Sequence, residues 1–304
     1  MIPKRIFYVW GANEKKPRDV QVCIQTWRQI MPDYEIIEIN ENDTKYFDFQ
    51  KELENNKWFR TVYENKLFAY VSDYIRIKVL YEHGGIYFDT DVSVIKKLDK
   101  FLKEEAFVGM QNTNLVEPAI LGASKHNPLL EKVLQFYDEK NEDNIWVLPI
   151  YTMPDIFEHV FKKHYNIFGF PEKQQQTIIK NKDITIYPER YFIPFRYGSS
   201  FTPDCVEEDT CTIHWFGGSW TKDSVRYWLT HKHIEPIQKL NRMLNTDIVK
   251  ITRLSLFGNK TIIKVIRFAN GKIKVLLFHC IPLLRTSRKH VYLFNYIPIL
   301  KIKK

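Results

Sequence analysis

From Leu67 onwards the apolar residues Leu67, Phe68, Val71, Ile75, Val79 and Leu80 recur at helical spacing, which predicts a helix that buries one face. Gly84 and Gly85 follow and supply a glycine stop. Ile86, Tyr87 and Phe88 are β-favouring and predict a short buried strand, with Asp89 and Asp91 leaving at its tip. Upstream, Ile6 to Trp10 reads as a first strand, Val20 to Ile30 as a helix and Tyr34 to Ile39 as a second strand, a β-α-β unit. Asn40 to Asn56 is polar and gives few signals. Val92 to Ile95 continues extended, and two more strands are expected at Ala106–Met110 and Val116–Ala123. Helices are expected from Asn127-Pro128 to about Tyr137 and after Thr152. Ile184–Tyr187 and Cys211–His214 read as strands, with an aromatic, Pro-rich loop between them at Tyr191–Tyr197 of the kind that lines an acceptor cleft.

Asp89 and Asp91 are two apart on an extended segment and point to the same side, where they can share a hard divalent cation or bracket one with a ribose. The competing reading is a solvated acidic turn. Asp73 and Arg76, three apart on the helix, read equally as a surface ion pair or as site residues. Trp10 ends the first strand, where ligands sit in open α/β sheets. It either stacks on a base or belongs to the core. His214 ends its strand before Gly217-Gly218-Ser219-Trp220. The glycines let backbone approach a diphosphate and Ser219 offers a small oxygen, so His214 and Ser219 are candidates for metal or phosphate contacts. An imidazole in an oxygen shell tilts the preference from Mg2+ towards Mn2+.

These residues carry a resemblance. Asp73, Arg76, Gly84-Gly85 and Asp89-x-Asp91, the opening Ile2-Pro3-Lys4-Arg5-Ile6-Phe7-Tyr8-Val9-Trp10, and the closing His214-Trp215-Phe216-Gly217-Gly218-Ser219-Trp220 resemble the sugar-binding region of family 32 glycosyltransferases over roughly residues 1–235. Two departures are Phe7, where that family usually has His, and Met153 within a Thr-Gly-Pro turn. The resemblance implies a GT-A type, Rossmann-like nucleotide-sugar-binding α/β domain. It implies Mn2+ or Mg2+ and a UDP-sugar as donor, with Asp91 and Asp89 on the metal and Asp89 also on ribose and sugar. Asp73 then meets sugar hydroxyls and Arg76 the diphosphate. Trp10, Ser219 and Trp220 fall in the donor-binding set, and His214 joins the metal. Glu117 stands near the slot of a family Asn beside the sugar. Its roles are nucleophile or electrostatic stabiliser, against a plain surface carboxylate. Retention of anomeric configuration and an α-linked product are implied as well.

The 304 residues, 44% hydrophobic, suffice for one large or two small domains. Charge divides them unevenly. Residues 248–304 hold 13 of the 45 Lys and Arg and none of the 36 acids, leaving 32 bases against 36 acids before them. The expected division is a catalytic domain over 1–245 and a small basic, β-rich, membrane-associating extension over 246–304. Within the extension Val275–Arg285 recurs sixteen residues later as Val291–Lys301, each an apolar run broken by Pro. Asn270-Gly271 is a hairpin signal. The basic asymmetry points to an anionic membrane surface. Nucleic acid is not expected, because the aromatics are embedded in apolar runs.

Cys23, Cys205, Cys211 and Cys280 have neither zinc nor disulfide spacing. Met1-Ile2-Pro3 leads straight into a strand, and no apolar run reaches the roughly 18 residues of a spanning helix. A cytoplasmic enzyme at the inner face of the membrane is the expectation, moving a hexose to a lipid-linked oligosaccharide in surface polysaccharide synthesis. A toxin-like transfer to protein, and a non-catalytic basic scaffold that binds membrane or nucleic acid, are the other readings.

Overall fold

Strand Arg5–Val9 (β1) is followed by helix Arg18–Ile30 (α1) and strand Glu35–Ile39 (β2), the β-α-β unit of the sequence. Helices Phe49–Asn55 (α2), Lys57–Glu64 (α3) and Phe68–His83 (α4) lead into strands Gly85–Phe88 (β3) and Val92–Val94 (β4). Strands Ala106–Met110 (β5) and Val116–Ala123 (β6) precede helices Pro128–Glu139 (α5) and Met153–Tyr165 (α6). Strands Ile179–Lys180 (β7) and Thr185–Tyr187 (β8), helix Glu189–Phe192 (α7) and strand Thr212–His214 (β9) complete this part. The computed structural model describes residues 1–217 apart from 44, 112–113, 141–150, 172–173, 197–198 and 200, and beyond them the backbone of six strands within 248–301. The chain divides into two units, Met1–Ile237 and Gln238–Lys304.

The first unit is an α/β layer structure. Its main sheet has the order β2-β1-β3-β6-β5-β8-β7, in which β1 runs parallel to β2 and β3, and β5 parallel to β8. Only β6 and the edge strand β7 run against the rest. Alternation along the central strands decides which residues meet which layer. Phe7 pairs with Tyr87 in the β1–β3 register, and both join the core cluster to which α4, α5 and α6 contribute. Tyr8 and Phe88 face the other way, where Trp27 of α1 packs edge-on at 5.5 Å and tilted at 5.2 Å. Asp89, two residues past Tyr87, therefore leaves the sheet on the side of α4.

Helix α4 crosses β1, β3 and β6. Val71, Tyr74, Ile75, Ile77, Val79 and Leu80 are all buried, each aliphatic side chain contributing roughly 1.5–3 kcal/mol. Phe68 corrects the predicted stripe: it begins the helix and is 55% exposed. Gly84 ends α4 at φ 66°, and its amide donates to Leu80 O at 2.8 Å. A Cβ there would lie 2.8 Å from Lys125 N, so both space and dihedral call for glycine. The polar stretch before α4, silent in the sequence, contains α2 and α3. Asp48 and Asn56 cap them by accepting from Lys51 N and Phe59 N.

The Tyr191–Tyr197 expectation is overturned for the described residues. Tyr191, Phe192, Ile193 and Phe195 are buried, and Phe192 stacks on Phe107 at 5.6 Å and tilts against Phe101 at 5.0 Å. These rings form core rather than cleft, because α7 lies against β5. Among the described residues no helix is long and apolar enough to cross a membrane.

The second unit is a six-stranded antiparallel meander. Its strands are Ile248–Leu256 (β10), Lys260–Phe268 (β11), Ile273–Leu277 (β12), Ile281–Thr286 (β13), His290–Leu293 (β14) and Ile297–Lys301 (β15), in that spatial order. The two predicted repeats are the hairpins β12–β13 and β14–β15. Asn270-Gly271 lies outside the described residues.

Candidate active site

Arg76 organises the site. It projects from the middle of α4, its side chain is 4% exposed, and its guanidinium carbon lies 4.5 Å over the Tyr87 ring. Nη1 donates to Pro118 O at 2.8 Å, and Nη2 lies 2.7 Å from Asp89 Oδ1 and 3.1 Å from Asp73 Oδ1. The sequence left a surface ion pair open for Asp73 and Arg76; in the pair Arg76 is buried and Asp73 half-buried. Two carboxylates hold the guanidinium charged, above even its ordinary range. Its Nε is buried with no hydrogen-bond partner among the described residues.

An irregularity in β6 builds the floor. The β5–β6 register passes from Val108↔Leu121 to Gly109↔Glu117, so residues 118–120 bulge out of the ladder. The bulge presents Pro118 O to Arg76 and Ala119 O to the amide of Asp89 at 2.9 Å. Glu117 is half-buried at its edge, with Oε1 accepting from Ala119 N at 3.3 Å. Burial pushes its carboxyl up, with Asp89 adding to the rise and His214 and Arg76 opposing it. It belongs to the same charge cluster and is no isolated surface carboxylate.

Beyond β3 the chain turns, Val92 N donating to Asp89 O at 3.1 Å, and β4 then pairs with β9. That pairing places Val92 opposite His214. Trp27 Nε1 donates to Val92 O at 2.6 Å, and Trp215 Nε1 to Ser93 Oγ at 2.7 Å, fixing β4 from both sides. Asp91 Oδ1 then lies 3.3 Å from His214 Nε2, and Asp91 Oδ2 accepts from Gly217 N at 2.6 Å.

The three aspartates and His214 carry different burdens. Asp73 is pushed by burial up to about 7, although Arg76 pulls it down. Asp89 is raised by burial, and the Asp91 charge adds to the effect. Burial acts to raise half-buried Asp91 too, but His214 and the Gly217 amide more than offset that and hold it low. His214 is raised to about 9, since Asp91, Glu117 and Asp89 outweigh its burial. The result is one permanent cation flanked by Asp73 and Asp89, and one stable carboxylate beside an imidazolium whose proton a bound cation would displace.

The donor set suits a divalent cation. Asp89, Asp91 and His214 each offer an atom within 4.8 Å of the others. His214 Nδ1 is buried and has no hydrogen-bond partner among the described residues. Two carboxylates and one imidazole are ligands that Mn2+ accepts well.

Trp10 lies beyond the end of β1, half-buried, its Nε1 donating to Glu14 O at 2.8 Å and Lys16 Nζ 5.8 Å from its ring. It is at the sheet edge where Asp89 emerges and outside the core. Ser219 and Trp220 lie outside the described residues. The contributions missed from sequence are two backbone groups, Pro118 O and the Gly217 amide, and the Tyr87 ring. A Cβ on Gly217 would meet Asp91 Oδ2 at 3.2 Å.

An acidic pair, a buried arginine and a histidine thus meet at the carboxyl end of a largely parallel sheet. Residues 17–108 match the family model described as glycosyltransferase sugar-binding region containing DXD motif. The chain is 30% identical over 154 residues to inositol phosphoceramide mannosyltransferase 2 of Schizosaccharomyces pombe, covering 50% of this chain and 43% of that one. It is 27% identical over 185 residues to mannosyl phosphorylinositol ceramide synthase SUR1 of Saccharomyces cerevisiae, covering 59% and 47%. The matches thus span less than half the length of these relatives. Among solved structures, the PaToxG glycosyltransferase matches 54% of this chain and 70% of its own at 19% identity and a TM-score of 0.44.

Proposed function

We propose that this chain transfers a hexose from a nucleotide sugar to a hydroxyl on a membrane-borne glycolipid, with retention of anomeric configuration. The observation that carries the reading is the line Asp73, Arg76, Asp89, Asp91 and His214, in which an electropositive guanidinium and a divalent-cation donor set adjoin. That is the electrostatics a departing nucleoside diphosphate requires. A cation held by Asp89, Asp91 and His214 supplies Lewis-acid stabilisation of that leaving group.

The residues divide the remaining work. Arg76 sets its positive charge beside the diphosphate while Asp73 and Asp89 fix its plane. Asp73 accepts hydrogen bonds from sugar hydroxyls, and Trp10 stacks on the base. Glu117 is the carboxylate that stabilises an oxocarbenium-like centre. Reaction occurs on the front face. The bond from the anomeric carbon to the phosphate oxygen breaks, the acceptor oxygen bonds to that carbon, and the acceptor proton passes to the departing phosphate.

UDP-sugars are the proposed donors. The relatives' printed names concern mannosyl transfer to inositol phosphoceramide, and they support a lipid-borne acceptor. A lipid-linked oligosaccharide on the cytoplasmic side of the membrane is the acceptor in this reading, with the basic second unit lying against the bilayer. The test is product analysis with a labelled donor and a panel of lipid acceptors. An α-linked glycolipid is expected; a β-linked product from an α-linked donor removes the front-face mechanism.

A further inference from the structure

The register of the second unit contains a third copy of the hairpin. In β12–β13 the pairs are Lys274↔Arg285, Val275↔Leu284, Leu276↔Pro282 and Leu277↔Ile281. In β14–β15 every pair recurs sixteen positions later, from His290↔Lys301 to Leu293↔Ile297. In β10–β11 the same four pairs occur twenty-one positions earlier: Arg253↔Lys264, Leu254↔Ile263, Ser255↔Thr261 and Leu256↔Lys260. All three carry their bulge between the second and third pair, and in the sequence Phe follows the last Leu of each first strand. Thr261 stands where the other copies have Pro282 and Pro298, and the different spacing hides the copy from a simple sequence repeat.

One position in this unit is basic in every copy. The first pair is Arg with Lys, Lys with Arg, and His with Lys, and in the first two of these like charges stand directly opposite, which destabilises a sheet. The pairs also share a face. Lys264 is opposite Leu276, two residues from Lys274, and Arg285 is opposite Tyr292, two residues from His290. Even steps keep to one side of a sheet, so Arg253, Lys264, Lys274, Arg285, His290 and Lys301 form a diagonal stripe across all six strands. With strands about 4.8 Å apart the stripe spans about 24 Å. A further cationic pair, Lys250↔Arg267, lies three residues from Arg253 and so on the opposite face.

We infer that the second unit is a threefold hairpin array whose cationic stripe docks on an anionic lipid surface. Negative charge against the stripe relieves the like-charge pairs, and a regular, extended row of cations matches a planar array of headgroups better than a compact ligand. The choice of a bilayer as partner rests on the proposed lipid-borne acceptor.

The test is sedimentation of the full chain with phosphatidylcholine vesicles, with and without phosphatidylglycerol. Binding is expected only with the anionic lipid. Each of the double variants Arg253→Gln/Lys264→Gln and Lys274→Gln/Arg285→Gln should weaken it about 30-fold. Lys250→Gln/Arg267→Gln removes the same charge from the other face and should change it less than about threefold. Equal losses in all three variants would overturn the stripe. Absence of vesicle binding, with retention on heparin, would overturn the lipid surface in favour of a soluble polyanion. Nucleotide release measured on the same preparations reports separately on the first unit, so failure of the transferase reading is distinguishable from failure of this one.

Discussion

Arg76 Nη2 lies 2.7 Å from Asp89 Oδ1, inside a protein layer that leaves the arginine side chain 4% exposed. The contact ties the helix before the glycine stop to the acidic pair after it. Helix α4, strand β3 and the β6 bulge thus converge on one guanidinium.

Replacement by lysine tests that convergence. Arg76→Lys keeps the charge but offers no planar fork to serve Pro118 O, Asp89 and Asp73 together. Donor turnover should fall about 10²–10³-fold. Arg76→Ala should also destabilise the fold by about 3–5 kcal/mol, because buried carboxylates lose their partner. Nucleotide release and thermal melting measure the two effects.

Asp73 separates stability from function through pH. Its carboxyl is raised from 3.8 to about 7, chiefly by burial. The folded state therefore holds a proton that the unfolded state has lost between those values. Asp73 contributes stability below about pH 4 that is lost as pH rises through 7. In EDTA, Asp73→Asn should melt close to wild type at about pH 4 and increasingly above it as pH rises to 8, while losing donor turnover at neutral pH. A variant that melts below wild type throughout would contradict this balance.

Much of this was legible in the chain, for identifiable reasons. Helix α4, the glycine stop and β3 followed from periodicity and dihedral requirements, and β5 and β6 from continuous apolar runs. Helices α2 and α3 were not, because their sequence is polar and each is announced by a single cap, Asp48 or Asn56. The aromatic loop misled because rings at Tyr191 and Phe192 look alike whether they line a cleft or fill a core. Asp73, Arg76, Asp89, Asp91 and His214 carry their chemistry in their side chains and could be named. Pro118 O and the Gly217 amide could not, since any residue supplies a backbone group and only the β6 bulge and the turn after β9 aim these two.

Gly217 is the sharpest local test of the acidic end. Its amide donates to Asp91 Oδ2 at 2.6 Å, and an added Cβ would approach the same oxygen to 3.2 Å. Gly217→Ala should displace Asp91, weaken Mn2+ binding by about tenfold or more and leave the melting temperature within about 2 °C of wild type in EDTA. Titration calorimetry and melting resolve the pair of outcomes.

Glu117 distinguishes two chemistries. As an electrostatic stabiliser, Glu117→Gln should reduce turnover about 10–100-fold, with no recovery on adding azide. A covalent nucleophile would instead give a far larger loss, rescued by azide with formation of a glycosyl azide.

The most direct measurement is nucleotide release from a panel of UDP- and GDP-sugars in Mn2+, Mg2+ or EDTA, wild type against Asp91→Asn. Asp91 pairs with His214 and the Gly217 amide, at the centre of the donor set. The account predicts release from a preferred donor that requires the cation and is lost in the variant. Release that persists in EDTA, or that survives Asp91→Asn unchanged, would contradict it.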